Sequence, residues 1–127
     1  MAGSASNYLE NKLIDHSLGT TTYTKPSAVY VALYTTSPSD TGGGVEVTGG
    51  SYSRQVVTFS AASSGSASSN VNVNFTTMPT CVVTAIGVLD SLTSGNLLYW
   101  GTLASSRSVS SGDTVSISSG NLTVTLD

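Results

Sequence analysis

The stretch Ala28-Val29-Tyr30-Val31-Ala32-Leu33-Tyr34-Thr35 decides the fold. Successive side chains of an extended chain point to opposite faces, so Val29, Val31 and Leu33 share one side and Tyr30, Ala32 and Tyr34 the other. Both faces are apolar. A strand of that kind is expected to be covered twice, by an opposing sheet and by a helix or a neighbouring subunit.

Downstream the punctuation is that of short strands. Ser37-Pro38-Ser39-Asp40-Thr41-Gly42-Gly43-Gly44 reads as a long turn or exposed loop, and Thr48-Gly49-Gly50-Ser51 as another. Strand-like segments lie between and after them, at residues 45–47 and 54–60. Residues 60–70 consist only of Ser, Ala and Gly with a final Asn. They have little apolar area to bury and are expected to form a mobile loop. Val71, Val73 and Phe75 then alternate with Asn72, Asn74 and Thr76, a half-buried strand with a wet outer face. Residues 82–89 and 97–103 are more continuously apolar, bounded by Asp90-Ser91 and Ser94-Gly95-Asn96, and read as central strands. Near the C-terminus Ser110-Ser111-Gly112-Asp113 and Ser118-Ser119-Gly120-Asn121 precede two alternating segments, which predicts a terminal hairpin or meander.

Upstream the period changes. Residues 7–18 contain neither Gly nor Pro, and Leu9, Leu13, Ile14 and Leu18 recur at helical spacing. One helix is expected, with Asn7 as N-cap, Glu10 three residues on, and Gly19 ending it in a left-handed conformation. Its apolar arc is broad and also contains Glu10 and Ser17. The chain therefore divides into an N-terminal arm and helix, residues 1–19, and a β domain, residues 20–127. About seven to nine short strands behind one helix fit an all-β fold, an antiparallel β-sandwich or jelly roll. No helical pattern separates the strands, which disfavours a parallel sheet.

Composition narrows the function. The chain has 127 residues, of which 9% are charged, with a formal net charge of −3. Its only cations besides the chain terminus are Lys12, Lys25, Arg54 and Arg107, and they are scattered. Nucleic-acid binding needs clustered cations that release counterions from phosphates, so no nucleic-acid partner is expected. No run of about 18 apolar residues exists, and residues 1–6 lack the basic and apolar regions of a signal peptide, so no membrane partner is expected either. The single cysteine, Cys81, heads an apolar run and reads as a buried thiol.

Catalysis needs convergent titratable groups, and the sequence offers few. His16 is the only histidine; Asp15 beside it points about 100° away around a helix and is badly placed to orient the ring. One Cys and one His give no metal-ligand spacing, and Gly42-Gly43-Gly44 is followed by neither Lys-Ser nor Lys-Thr. The chain is read as non-enzymatic, with no catalytic residue, cofactor or metal. Asn74-Phe75-Thr76 and Asn121-Leu122-Thr123 match the glycosylation sequon inside expected strands and are read as chance. In Tyr99-Trp100 one ring should face the core and the other outwards.

A helix with a broad apolar arc beside a strand apolar on both faces presents more adhesive surface than one small sandwich buries. The expected protein interface is accordingly Tyr8, Leu9, Leu13 and Ile14 of the helix with Tyr30 and Tyr34 of the strand.

Several longer segments carry a resemblance: residues 6–16, Val29-Tyr30-Val31-Ala32-Leu33-Tyr34-Thr35-Thr36, Gly42-Gly43-Gly44-Val45-Glu46-Val47, Gly49-Gly50-Ser51-Tyr52-Ser53-Arg54, Gly95-Asn96-Leu97-Leu98-Tyr99-Trp100-Gly101, and the end from Ser111-Gly112-Asp113-Thr114 to Asp127. With these the chain resembles a widespread family of small structural proteins of tailed bacteriophages. The resemblance implies a virion protein. Some similar cyanophage proteins are capsid cement proteins, which implies a homotrimer that binds the major capsid protein on the capsid exterior. Other members are labelled tail-fibre proteins, which implies instead a virion tail module that binds the host surface or other tail proteins.

Overall fold

A computed structural model describes residues 4–126. In chain order the elements are β1 (Ser4–Ala5), α1 (Asn7–Ser17), β2 (Val29–Thr36), β3 (Val45–Glu46), β4 (Gln55–Val57), β5 (Ser66–Ser68), β6 (Val73–Phe75), β7 (Cys81–Leu89), β8 (Leu97–Val109), β9 (Val115–Ile117) and β10 (Thr123–Thr125). All described pairings are antiparallel. The fold is all-β with one short N-terminal helix, as expected. The main sheet runs β1-β8-β7-β2-β3, with β4 also on β2, and two ribbons, β5–β10 and β6–β9, complete the structure.

The doubly apolar strand is at the centre. Val31 and Leu33 pair with Val88 and Ile86 of β7 and face the ribbons, closing a core with Val73, Phe75, Met78, Val115 and Leu122. On the opposite face Ala32, Tyr34, Ala85 and Leu89 form a second buried cluster with Leu97 against it. Small residues under a large one explain that packing. A Cβ at Gly87 would stand 2.8 Å from Tyr34 Cε1 and 3.0 Å from Leu97 Cδ1, so the tyrosine ring lies directly over the glycine. The helix does not belong to this second cluster. It docks instead through Leu9 against Leu98 and Ala5.

Several expectations change. Ser6, not Asn7, is the N-cap: its backbone is extended (φ −74°, ψ 157°) and its hydroxyl accepts from the Leu9 N–H at 3.3 Å while donating to the Leu97 carbonyl. The cause is β1, a two-residue strand that carries the extended conformation up to Ser6, whose own N–H donates to Leu98 O at 2.8 Å. At the other end Gly19 has φ +78°, as expected, and its N–H donates to His16 O. Residues 60–70 are not an unpaired loop. Three of them make β5, Ser60 N–H donates to Ser68 O at 2.9 Å, and the buried Ser69 hydroxyl accepts from the Leu122 N–H. A backbone ladder needs no apolar side chain, and hydroxyls satisfy the remaining groups. The C-terminal strands do not pair with each other either: β9 joins β6 and β10 joins β5, because the facing apolar residues Val73, Phe75 and Val115 must close the core.

Candidate functional site

Local geometry first fixes the loops that frame the surface. Gly44 has φ +75°, and a Cβ there would stand 2.7 Å from Pro38 N and Thr36 O, so this tight return after β2 accepts only glycine. It delivers Glu46 to β3. The Gly49-Gly50 turn then brings Tyr52 and Arg54 back against the same carboxylate. Arg54 forms a two-pronged pair with Glu46, Nε to Oε2 at 3.0 Å and Nη2 to Oε1 at 2.9 Å. Its Nη1 donates to Ser91 O and Ser94 O, both at 2.8 Å, which ties the β7–β8 loop to β3. The Tyr52 ring stacks on Phe75 and its hydroxyl donates to Glu46 Oε2 at 2.7 Å. That hydroxyl also accepts from the Leu33 N–H at 2.9 Å, where β2 passes from pairing with β4 to pairing with β3. A side-chain oxygen thus fills a gap in the ladder.

Burial, with Glu46 as acceptor, holds the Tyr52 hydroxyl well above the ordinary phenol value, although the Leu33 N–H pulls the other way. The folded chain keeps a proton that the unfolded chain releases near pH 10, about the free phenol value. The stabilisation is fully present below that pH and is lost as the pH climbs beyond it. Tyr52→Phe should therefore be less stable than the parent at pH 8, through the orphaned Leu33 N–H, and should lose less further stability above pH about 10. Urea unfolding at pH 8 to 11 checks this; parallel slopes for the two proteins would refute it.

A second clasp fixes the helix. Trp100 Nε1 donates to Asp40 Oδ1 at 2.9 Å, and the Asn7 N–H donates to Asp40 O at 2.8 Å. His16 is exposed, and its Nδ1 accepts from the Tyr23 N–H at 3.1 Å, securing the segment after the helix. Tyr99 packs into the core side and Trp100 turns away from it, as the alternation predicts. Cys81 is half-buried, not buried, because it starts β7 at the end of the sheet, and burial pushes its thiol pKa up. Among the described residues no three His, Cys, Asp or Glu side chains converge on a point that would hold a metal ion. No helix among them is long and apolar enough to cross a membrane.

The six residues expected at an interface do not form one patch. Leu9 is 3% exposed and Tyr34 is buried, so both are used inside the chain and leave too little side-chain area to anchor a protein partner. Leu9 is held by the Leu98 contact, and Tyr34 by the space over Gly87. Tyr8 and Leu13 are half-buried beside Leu9, and Lys12 Nζ stands 5.7 Å from the centre of the Tyr8 ring. Tyr30 is half-buried between β4 and β7. Ile14 remains outside, 54% exposed, and Leu18, four residues later, is 77% exposed. Residues four apart share a helix face, so these two present an apolar ridge that the chain itself leaves uncovered. Leu18 was legible as part of the apolar arc. Nothing in the sequence showed that it would be the most exposed member.

The model of a family described as podophage GP4 fiber I protein gp80 matches residues 4–125. An all-β chain matched over almost its full length by such a family is a structural protein of the phage particle. The chain belongs to the podophage GP4 fiber I protein gp80 family. No curated protein matches it.

Proposed function

We propose that the chain is a non-catalytic component of a phage fibre that works by docking on other virion proteins through the outer end of α1. The description of its family as a fiber protein supports the location. The observation that carries the docking reading is the Ile14–Leu18 ridge, since apolar side chains left in water at a fixed spacing on a clasped helix gain by being covered. Low charge suits permanent packing, because desolvating Lys or Glu across an interface is costly. A second reading is a capsid cement protein, bound as a homotrimer to the major capsid protein on the head exterior. The resemblance of its sequence segments to tailed-phage structural proteins, some of them capsid cement proteins, implies it, and many identical contacts on a symmetric shell would add up by multivalency.

Quantitative densitometry of purified virions separates the two. Copies on the order of hundreds per particle support the head, and copies in small multiples of a tail symmetry support the fibre. The ridge is tested separately. Ile14→Lys and Leu18→Lys place a cation near the helix C-terminus, where it is tolerated, and should change the stability of the purified chain by no more than about 0.5 kcal/mol. Incorporation of the double variant into virions, read by immunoblot, should fall at least about tenfold, which corresponds to about 1.4 kcal/mol of contact energy. Unchanged incorporation would refute the docking role of α1.

A further inference from the structure

We propose that the cleft between the start of α1 and the loops at residues 40–43 and 95–96 binds a neutral saccharide. The cleft has a volume of about 430 Å³, within the range of small-molecule sites. Its apolar lining is Leu97 with the largely buried Leu89 and Tyr34. Asn7, Asp40 and Asn96 line it with polar groups, and the half-buried Tyr8 lines it with an aromatic ring.

The charges decide the ligand class. Asp40 is the only charged residue in the lining. Phosphate, sulfate or a carboxylate would find no cation there, and Lys12 is placed on the Tyr8 ring, not among the lining residues. A single carboxylate is far short of the six to eight oxygens that a calcium ion takes. What remains is a neutral ligand with hydroxyls for planar amide and carboxylate groups and C–H faces for the half-buried Tyr8 ring. Those are the two surfaces of a sugar.

The polar groups are already held in place. Asp40 is fixed by Trp100 at Oδ1 and by the Asn7 N–H at its carbonyl, which leaves Oδ2 without a partner among the described residues. Asn96 is fixed by the Asp90 carboxylate, which accepts from its N–H at 2.7 Å and from its Nδ2 at 3.0 Å, so its own Oδ1 stays available. Binding to such groups costs little ordering entropy. The inference rests on the cleft alone and holds whether the chain is carried on a fibre or on the head.

Saturation-transfer NMR on the purified chain tests it, with di- and trisaccharides of glucose, galactose, mannose, rhamnose and N-acetylglucosamine as probes and inorganic phosphate as the control anion. At least one saccharide should receive transfer and phosphate should not compete. Thr41→Trp, at an exposed position on the cleft wall, should weaken binding at least about tenfold without lowering the melting temperature. Tyr8→Ala should weaken it also. No transfer to any saccharide, transfer unaffected by Thr41→Trp, or competition by phosphate would overturn the proposal. Virions carrying Thr41→Trp should retain the chain. Its loss from the particle would make the cleft a protein contact, overturning the saccharide site while leaving the structural role intact.

Discussion

Phe75→Ala is expected to remove about 3–5 kcal/mol of folding free energy, the range for deleting a buried aromatic ring. Phe75 is 1% exposed and among the largest fully buried side chains, and its ring lies nearly parallel to that of Tyr52, 5.8 Å away. The β6–β9 ribbon that carries it has three residues per strand, so its attachment to the main sheet depends on side-chain burial more than on hydrogen bonds. The melting temperature should fall by on the order of 10–20 °C. Phe75→Leu, which retains most of the volume, should cost less than about 1.5 kcal/mol. Urea denaturation of both variants checks the pair; a loss below about 1 kcal/mol for alanine would show that the ribbon does not close the core.

Glu46→Ala should have the next largest effect, about 2–3 kcal/mol. Removing one partner of a buried ion pair costs about 3–5 kcal/mol, and the value is reduced here because the Glu46 side chain is 25% exposed. The Arg54 side chain is only 10% exposed and would keep its charge beside two carbonyls, while the Tyr52 hydroxyl would lose its acceptor. Glu46→Gln keeps an oxygen for Tyr52 and should recover part of the loss. In a double-mutant cycle with Arg54→Ala, the coupling should reach about 1–3 kcal/mol. Additive losses would mean that the two side chains contribute independently.

The parts of this fold that were legible in the sequence are those where side-chain pattern and burial coincide. β2 and β7 are apolar on both faces and occupy the middle of the main sheet, and Gly19 ends the helix where a left-handed residue is needed. β1 and β5 were not legible. Ser4-Ala5 and Ser66-Ala67-Ser68 have no apolar period, and each becomes a strand only because a distant segment offers its backbone. The missed N-cap follows from the missed β1. The site was half legible. A broad apolar arc on α1 pointed to a contact surface, but the split between inward Leu9 and outward Ile14 and Leu18 depends on where Leu98 stands. Three segments distant in sequence meet at the cleft, and no spacing rule links Asn7, Asp40 and Asn96.

The pairing of β1 with β8 also sets an order of events during synthesis. Neighbours in sequence pair as β7 with β8 and β2 with β3, but other ladder partners are remote: β1 with β8, β2 with β7, β5 with β10. Closing such long loops before any contact rewards them slows folding into the range of about milliseconds to seconds, against microseconds for local helical bundles. Until the ribosome has released Leu97 to Trp100, neither the strand before the helix nor Leu9 has a surface to rest on, and the Asp40–Trp100 clasp cannot form. Residues 4–17 are therefore made well before β8 and yet are among the last of the described residues to settle. A chain interrupted before β8 would lack the docked helix, so a particle that grips this helix would recruit only finished copies.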